Sequence, residues 1–396
     1  MLDDGNIVCG VFVDLEKAFD TVHHDILCEK IKVYGLRGRI NDLLKSYLQN
    51  RKQFVSLQGH NSRITNVTCG VPQGSSLGPL LFLIYINDFR FCLSKTSAGH
   101  FADDTFIIFN SKKLKTIETV VNTELKEVSK WLRLNKLSLN VKKTELIFFH
   151  SPRKKIDFDK IFINFNGIRL EPVDFVKYLG MYIDKHLSWN HHIFELGKKL
   201  SRANGIISKL RHNAPRRTCL QVYYALFYSH LSYGCNIWSL TSQKNIKKIE
   251  ILQKKCVRIM TFSDFNSHSK RLFNELKILK VSDVIKLSQL NLNFQYLHNL
   301  LPDGLSHLFC LNRHALNTNL TLRSMSVDSF YIPKIRTSSY GIKSITFHCS
   351  KLWNEVFAHG KIKVSEKTYV YSRDIMTSSY FNSVIKRHFF FLSNLP

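Results

Sequence analysis

Residues 99–109 of the 396-residue sequence read Gly-His-Phe-Ala-Asp-Asp-Thr-Phe-Ile-Ile-Phe. Two adjacent carboxylates stand between two short runs of aromatic and β-branched residues, the pattern of a hairpin that presents Asp103 and Asp104 at its tip. Like charges side by side repel, and in apolar surroundings such a pair holds a proton unless a cation neutralises it. A bound divalent metal would account for the pair, and so would a solvated acidic turn. The order of the remaining segments decides between them.

A third carboxylate closes a strand. The run Ile-Val-Cys-Gly-Val-Phe-Val over residues 7–13 is compact and apolar, as expected of a buried strand, and Asp14 follows at its end. Residues 15–22 read as a turn running into a helix whose apolar face continues through Ile26, Leu27, Ile31 and Tyr34 until Gly35 stops it. A second helix is expected over 39–48, and strand-like segments over 53–57 and 64–71 form a pair that feeds a loop. That loop, Gly-Val-Pro-Gln-Gly-Ser-Ser-Leu-Gly-Pro over 70–79, carries three glycines and two prolines. So much Gly and Pro fixes unusual backbone angles and lets a ligand approach the main chain closely. Gln73 is thereby held at a fixed place, as substrate positioning requires. Pro79 suits a first helical turn, and residues 80–87 read as a helix apolar on every side, hence buried.

After the acidic hairpin, Ile117, Val120, Val121, Leu125, Val128, Trp131 and Leu132 recur at helical spacing, so 114–134 is expected as an amphipathic helix covering a sheet. Residues 139–149 are a lysine-bearing turn entering a strand. Asn166-Gly167 marks a hairpin between 161–165 and 168–170, and 176–183 reads as one further strand. From residue 187 to about 300 the pattern is helical, with Lys198, Lys199, Arg202, Lys209, Arg211, Arg216 and Arg217 among apolar positions. Tyr223, Tyr224, Phe227, Tyr228 and Tyr233 suit a core better than a base-stacking platform.

Composition narrows the function classes. Lysine and arginine number 57 against 30 acidic residues, a net charge of +27 that favours a polyanionic partner. The densest apolar run, 80–86, is far shorter than the roughly 20 residues that span a bilayer, so no membrane role is expected. The first twenty residues lack a signal-peptide profile, which points to an intracellular protein. The nine cysteines are odd in number and scattered without a Cys-x-x-Cys pair, and indicate neither a disulfide framework nor a zinc ribbon. The His23-His24 and His191-His192 pairs lack partners at ligand spacing and read as surface or core histidines.

Five motifs in order carry a family resemblance. They are Phe-Val-Asp-Leu-Glu-Lys-Ala-Phe-Asp over 12–20, Gly-Val-Pro-Gln-Gly-Ser over 70–75, Phe-Ala-Asp-Asp over 101–104, Leu139-Asn140 with Lys143-Thr144, and Tyr-Leu-Gly over 178–180. On these the chain resembles the reverse transcriptases of non-LTR retrotransposons, of the LINE type and especially the jockey-like group, from residue 7 to about 183 and more weakly beyond. The resemblance implies an α+β chain: a right-hand polymerase palm, with an antiparallel sheet packed on helices, over 1–185, a mainly helical basic thumb over 186–305, and a small C-terminal tail region of unknown role over 306–396. It also implies that most of the fingers and the endonuclease domain lie outside the chain.

Further implications of the resemblance concern chemistry. Two Mg²⁺ ions, with Mn²⁺ as a possible substitute, clamp an in-line displacement that extends a DNA primer on an RNA template. Asp14 and Asp103 would hold both metals, with Asp104 as an adjunct carboxylate and the Leu15 carbonyl as a further ligand. Phe19 would sit beneath the incoming sugar and select deoxynucleoside triphosphates. The amides of Lys17 and Ala18 would meet the triphosphate, Gln73 would help place the nucleotide, and Lys143 would donate a proton to pyrophosphate, a role Lys142 could equally fill. The thumb would grip the template-primer duplex through its phosphates. Priming at a chromosomal nick would place the protein in the nucleus. The alternative of a different class is a non-enzymatic nucleic-acid-binding remnant. An unrelated two-metal nuclease fits less well, because nuclease chemistry calls for neither the Phe19 nor the Gln73 context.

Overall fold

The computed structural model describes residues 1–312, 329–357, 361–364, 367–370 and 377–394. Of the expected tail region 306–396, the remaining residues lie outside the described ones. The chain divides into two compact units, Met1–Gly180 and Met181–Pro396.

The first unit is built on a four-stranded antiparallel sheet. Strand β1 (Ile7–Val13) lies between β7 (Asp104–Ser111) and β8 (Glu145–Phe149), and β6 (Ser97–Phe101) pairs with the outer edge of β7. Register is fixed by Val13 opposite Thr105 and Phe12 opposite both Phe106 and Glu145. A central strand is covered on both faces, which is why β1 is nearly continuous in apolar residues and buried at six of its seven positions. Helices α1 (His24–Val33), α3 (Gly78–Ile86) and α4 (Leu114–Leu134) supply the other half of this core, with Leu27, Phe82, Tyr85, Ile117 and Val128 fully buried. The expected α+β arrangement of an antiparallel sheet packed on helices is therefore present. Helix α2 spans Arg39–Leu48, as expected.

Three expectations need correction. Helix α3 is not buried all round: Leu81, Phe82, Tyr85 and Ile86 face the core, whereas Leu80 is 53% and Leu83 45% exposed. A helix laid on one core has one inner stripe, so an apolar outer stripe stays in solvent unless something else covers it. The segments 53–57 and 64–71 meet in a strand ladder only at Gln53 opposite Thr65, in a narrow ribbon of two-residue strands: β2 (Lys52–Gln53) pairs with β5 (Thr65–Asn66), whereas β3 (Ser56–Leu57) pairs with β4 (His60–Asn61), outside the second segment. The run 176–183 is broken after Phe175–Tyr178 by positive φ at Leu179 and Gly180 (47° and 77°), and a new strand begins at Met181. The Asn166-Gly167 turn forms as expected, with φ of 50° and 84°, between Asn164–Phe165 and Ile168–Arg169.

The second unit is mainly helical. Helices α5 (Asn190–Leu210), α6 (Gln243–Met260) and α7 (Val281–Leu297) share one core with the helices Ile345–Val356 and Ser378–Asn394, centred on Trp238, Phe294, Trp353 and Phe381. Of the aromatic cluster in this unit, Tyr223 and Phe227 are core residues and stack on each other, while Tyr224 and Tyr233 are exposed by 43% and 56%. Among the described residues no helix is long and apolar enough to cross a membrane.

Candidate active site

The site grows from the C-terminal end of β1. Past Val13 the chain leaves the sheet, and the Asn140 amide donates to the Asp14 carbonyl (2.9 Å) while the Glu16 amide donates to the Ser138 carbonyl (2.8 Å). These two bonds lay residues 138–143 alongside Asp14. The following turn is tight: Lys17 has φ of 47°, and its carbonyl accepts from the amides of Asp20 and Thr21.

The Gly-Pro loop is fastened to that turn. The Gly70 amide donates to the Val22 carbonyl (2.8 Å) and the Val71 amide to the Phe19 carbonyl (2.9 Å), while the buried His24 ring bonds the Gly70 carbonyl through Nε2 (2.8 Å). Gly70 has φ of 87°, and a Cβ there would stand 2.8 Å from the Asp20 carbonyl oxygen. The close approach that the glycine permits is thus to the chain's own backbone, where the sequence suggested a ligand. The Gln73 side-chain amide donates to Asp20 Oδ1 (2.8 Å), so Gln73 is oriented by a carboxylate six positions beyond Asp14.

From the opposite side comes the acidic hairpin. Phe101 pairs with Asp104 across a two-residue turn at Ala102 and Asp103, with φ of 53° at Ala102. Only Asp103 is at the tip; Asp104 is the first residue of β7. The hairpin is seated by the Phe106 ring, which packs over Gly99 so closely that any Cβ there would collide with it. Phe106 also meets Tyr178 edge-on at 5.4 Å, and Tyr178 meets Phe12 at the same distance. A buried carboxylate fixes the hairpin's entry: Glu124 accepts from the amides of Ser94 and Lys95 and the hydroxyls of Ser94 and Thr96.

These segments enclose a cavity of about 690 Å³ lined by Asp14, Leu15, Lys17, Ala18, Phe19, Gln73, Asp103 and Lys143, and also by Glu16, Asp20, Thr21, Ser138 and Asn140. Asp14 and Asp103, 89 positions apart in sequence, meet there. Asp104 does not line it. Phe19 is held by a stacked contact with the buried Phe82 ring, centroids 4.6 Å apart. Lys143 Nζ lies 3.9 Å from Asp14 Oδ2, with the lysine 71% exposed. So exposed a pair adds little stability and leaves either partner free to engage something else. Glu16, Asp20, Thr21, Ser138 and Asn140 carry no expected role, although Glu16, Asp20 and Asn140 stand inside two of the five motifs.

Partial desolvation, then the charges of Asp103 and Asp14, push the Asp104 carboxyl above the usual carboxylate range. Asp14 and Asp103 on one cavity wall, with Asp104 adjoining Asp103, are a hard-oxygen donor set whose repulsion a divalent cation relieves. Among the described residues no three His, Cys, Asp or Glu side chains are already gathered as a metal cage. The donor set suits Mg²⁺, which binds through one or two carboxylates and completes its shell with water and substrate phosphate.

Residues 3–183 match the model of the reverse transcriptase (RNA-dependent DNA polymerase) family. The chain is 29% identical over 284 residues to a probable RNA-directed DNA polymerase from transposon X-element of Drosophila melanogaster, covering 70% of this chain and 31% of that one. It is 24% identical over 316 residues to the RNA-directed DNA polymerase from mobile element jockey of the same species, covering 77% of this chain and 34% of the relative. The chain therefore spans about a third of the length of the curated relatives it matches. Among solved structures, apo telomerase of Candida tropicalis is similar with a TM-score of 0.36 and 14% identity, over 71% of this chain and 46% of that one.

Proposed function

We propose, from the premise that residues 3–183 are a reverse transcriptase domain of the non-LTR retrotransposon type, that this chain adds deoxynucleotides to a DNA primer on an RNA template. The observation that carries the proposal is the convergence of Asp14, Asp103, Phe19, Gln73 and Lys143 on one cavity. The reacting ends would lie over the carboxylates. Asp14 and Asp103 would hold Mg²⁺, or Mn²⁺ in its place, with the Leu15 carbonyl and Asp104 as further oxygens. Bound there, the metal supplies Lewis-acid activation of the primer hydroxyl and charge neutralisation of the departing pyrophosphate.

The chain's own residues do the rest. The turn at Lys17 and Ala18 offers main-chain amides to the triphosphate. Phe19, pinned by Phe82, would be a rigid floor for the sugar, against which a 2′-hydroxyl would clash. Gln73, oriented by Asp20, presents its remaining amide oxygen to the nucleotide. Lys143 combines a positive charge beside Asp14 with a transferable proton for pyrophosphate. The helical second unit, with Lys198, Lys199, Arg202 and Lys209 on α5, would grip the template-primer duplex. Copying primed at a chromosomal nick would set this work in the nucleus.

The test is primer extension on poly-rA with Mg²⁺, run beside Asp103→Asn. Extension that the variant abolishes supports the reading. Equal signals from both proteins would leave a nucleic-acid-binding chain without turnover.

A further inference from the structure

Residues 51–66 are exposed at every position, and the segment is an ordered ribbon rather than a loose loop. The Val67 amide donates to the Arg51 carbonyl, Gln53 is opposite Thr65, Ser62 and Val55 bond twice, and Leu57 pairs with His60 across a turn with positive φ at Gln58 and Gly59. A two-stranded ribbon is at best marginally stable by itself in water. This one holds Phe54, Val55, Leu57 and Ile64 in solvent at 54–71% exposure. Its charges are all of one sign: Arg51, Lys52 and Arg63 lie within a stretch, residues 43–87, that contains no acidic residue. Its base adjoins the catalytic cavity, because four residues beyond Asn66 the chain reaches Gly70, fastened to the turn that carries Phe19 and Asp20.

We propose that this ribbon is an arm that holds single-stranded template on its way to the cavity, with Arg51, Lys52 and Arg63 on phosphates and Phe54, flanked by Leu57, against unstacked bases. Charge selects a polyanion over a second copy of so basic a chain. Apolar exposure selects a single strand over a duplex, whose bases are already stacked and which would use only the cations. The arm is long enough: residues 51–57, two short strands and the residues beside them, reach about 20 Å at about 3.3 Å each, the span of several nucleotides. The proposal rests on the polymerase reading only for which strand is held; the binding itself is independent of catalysis.

Fluorescence anisotropy with labelled oligo(rA), free and annealed to oligo(dT), tests it. Phe54→Ala/Leu57→Ala should weaken the free strand about tenfold and the hybrid far less, since only unstacked bases offer their faces to the Phe54 ring. Arg51→Gln/Lys52→Gln/Arg63→Gln should lower the slope of log K against log salt by about 2, three contacts at about 0.7 each. Melting temperatures should be unchanged, the substituted side chains being exposed. Unaltered free-strand binding in both variants overturns the arm, as does an equal loss on free strand and hybrid. Dispersal of a dimer by Phe54→Ala/Leu57→Ala would instead assign the face to a second copy. Loss of strand binding in arm variants of a chain that extends no primer would leave the arm standing and remove the polymerase reading. Normal extension with unaltered binding would do the reverse.

Discussion

Gly70→Ala is the sharpest probe of how the site is assembled. With φ at 87°, alanine there incurs the left-handed penalty of about 1–2 kcal/mol. The new Cβ would also lie 2.8 Å from the Asp20 oxygen, 3.0 Å from its Cα and 3.1 Å from its carbonyl carbon, all of them backbone atoms that cannot swing aside. Forcing them apart adds about 1–3 kcal/mol, and the lost freedom of the unfolded chain returns about 0.4–1 kcal/mol. The sum is about 2–4 kcal/mol. For a unit of this size each kcal/mol lowers the melting temperature by about 2–4 °C, so a fall of about 5–15 °C is expected. Gly74→Ala is the matched control: φ is 80°, but nothing lies within 4 Å of the added Cβ, and only the backbone penalty remains, about 1 kcal/mol. Thermal unfolding followed by circular dichroism compares the two. Displacing Asp20 also breaks its bond to Gln73, so Gly70→Ala should raise KM for the nucleotide in primer extension. Equal losses for the two glycine variants would refute the claim that the loop is clamped by contact with Asp20.

Other consequences follow from the same geometry. Phe19→Ala should lower the preference for deoxy- over ribonucleotides by about tenfold or more in kcat/KM, the scale on which a shaped pocket discriminates; an unchanged ratio removes Phe19 from sugar selection. Asp104→Asn should raise the melting temperature of the metal-free protein at neutral pH, because a carboxyl whose value is raised on folding gives up stability as pH rises through that value. Exposure keeps this within about 1 kcal/mol, and a lower melting temperature would contradict it. His192, buried, is held down to about 4 from an ordinary 6.5 by desolvation, with Lys199 and His191 adding to it. Its folded value lies below the unfolded one, so stability is complete above pH 6.5 and falls as pH drops towards 4, by about 3 kcal/mol at about 1.4 kcal/mol per unit. Denaturant titrations across that window should show the loss, and His192→Gln should flatten it. Glu124→Ala strands four donors around a side chain only 3% exposed and should lower stability by about 2–4 kcal/mol in urea unfolding; a loss under about 0.5 kcal/mol would mean that the 94–96 turn holds itself.

Much of this molecule was legible in residue order alone. The strand Ile7–Val13, the helices Arg39–Leu48 and Leu114–Leu134 and the Asn166-Gly167 turn stand where period and turn chemistry set them, because each is specified by neighbours within a few positions. The resemblance to non-LTR reverse transcriptases is borne out by the family match over residues 3–183 and by the jockey and X-element relatives. What sequence could not decide was anything set by the far side of a contact. An all-apolar run such as 80–86 does not say which of its faces finds a core, and Leu80 and Leu83 did not. The glycine at 70 announced a close approach without naming its partner, which proved to be Asp20, 50 positions earlier. Likewise Asp103 and Asp104 are equivalent as letters. A turn at Ala102 and Asp103 separates them, sending one carboxylate to the cavity beside Asp14 and leaving the other to start a strand, because side-chain direction is set by backbone angle and pairing register, which exist only once the sheet has formed.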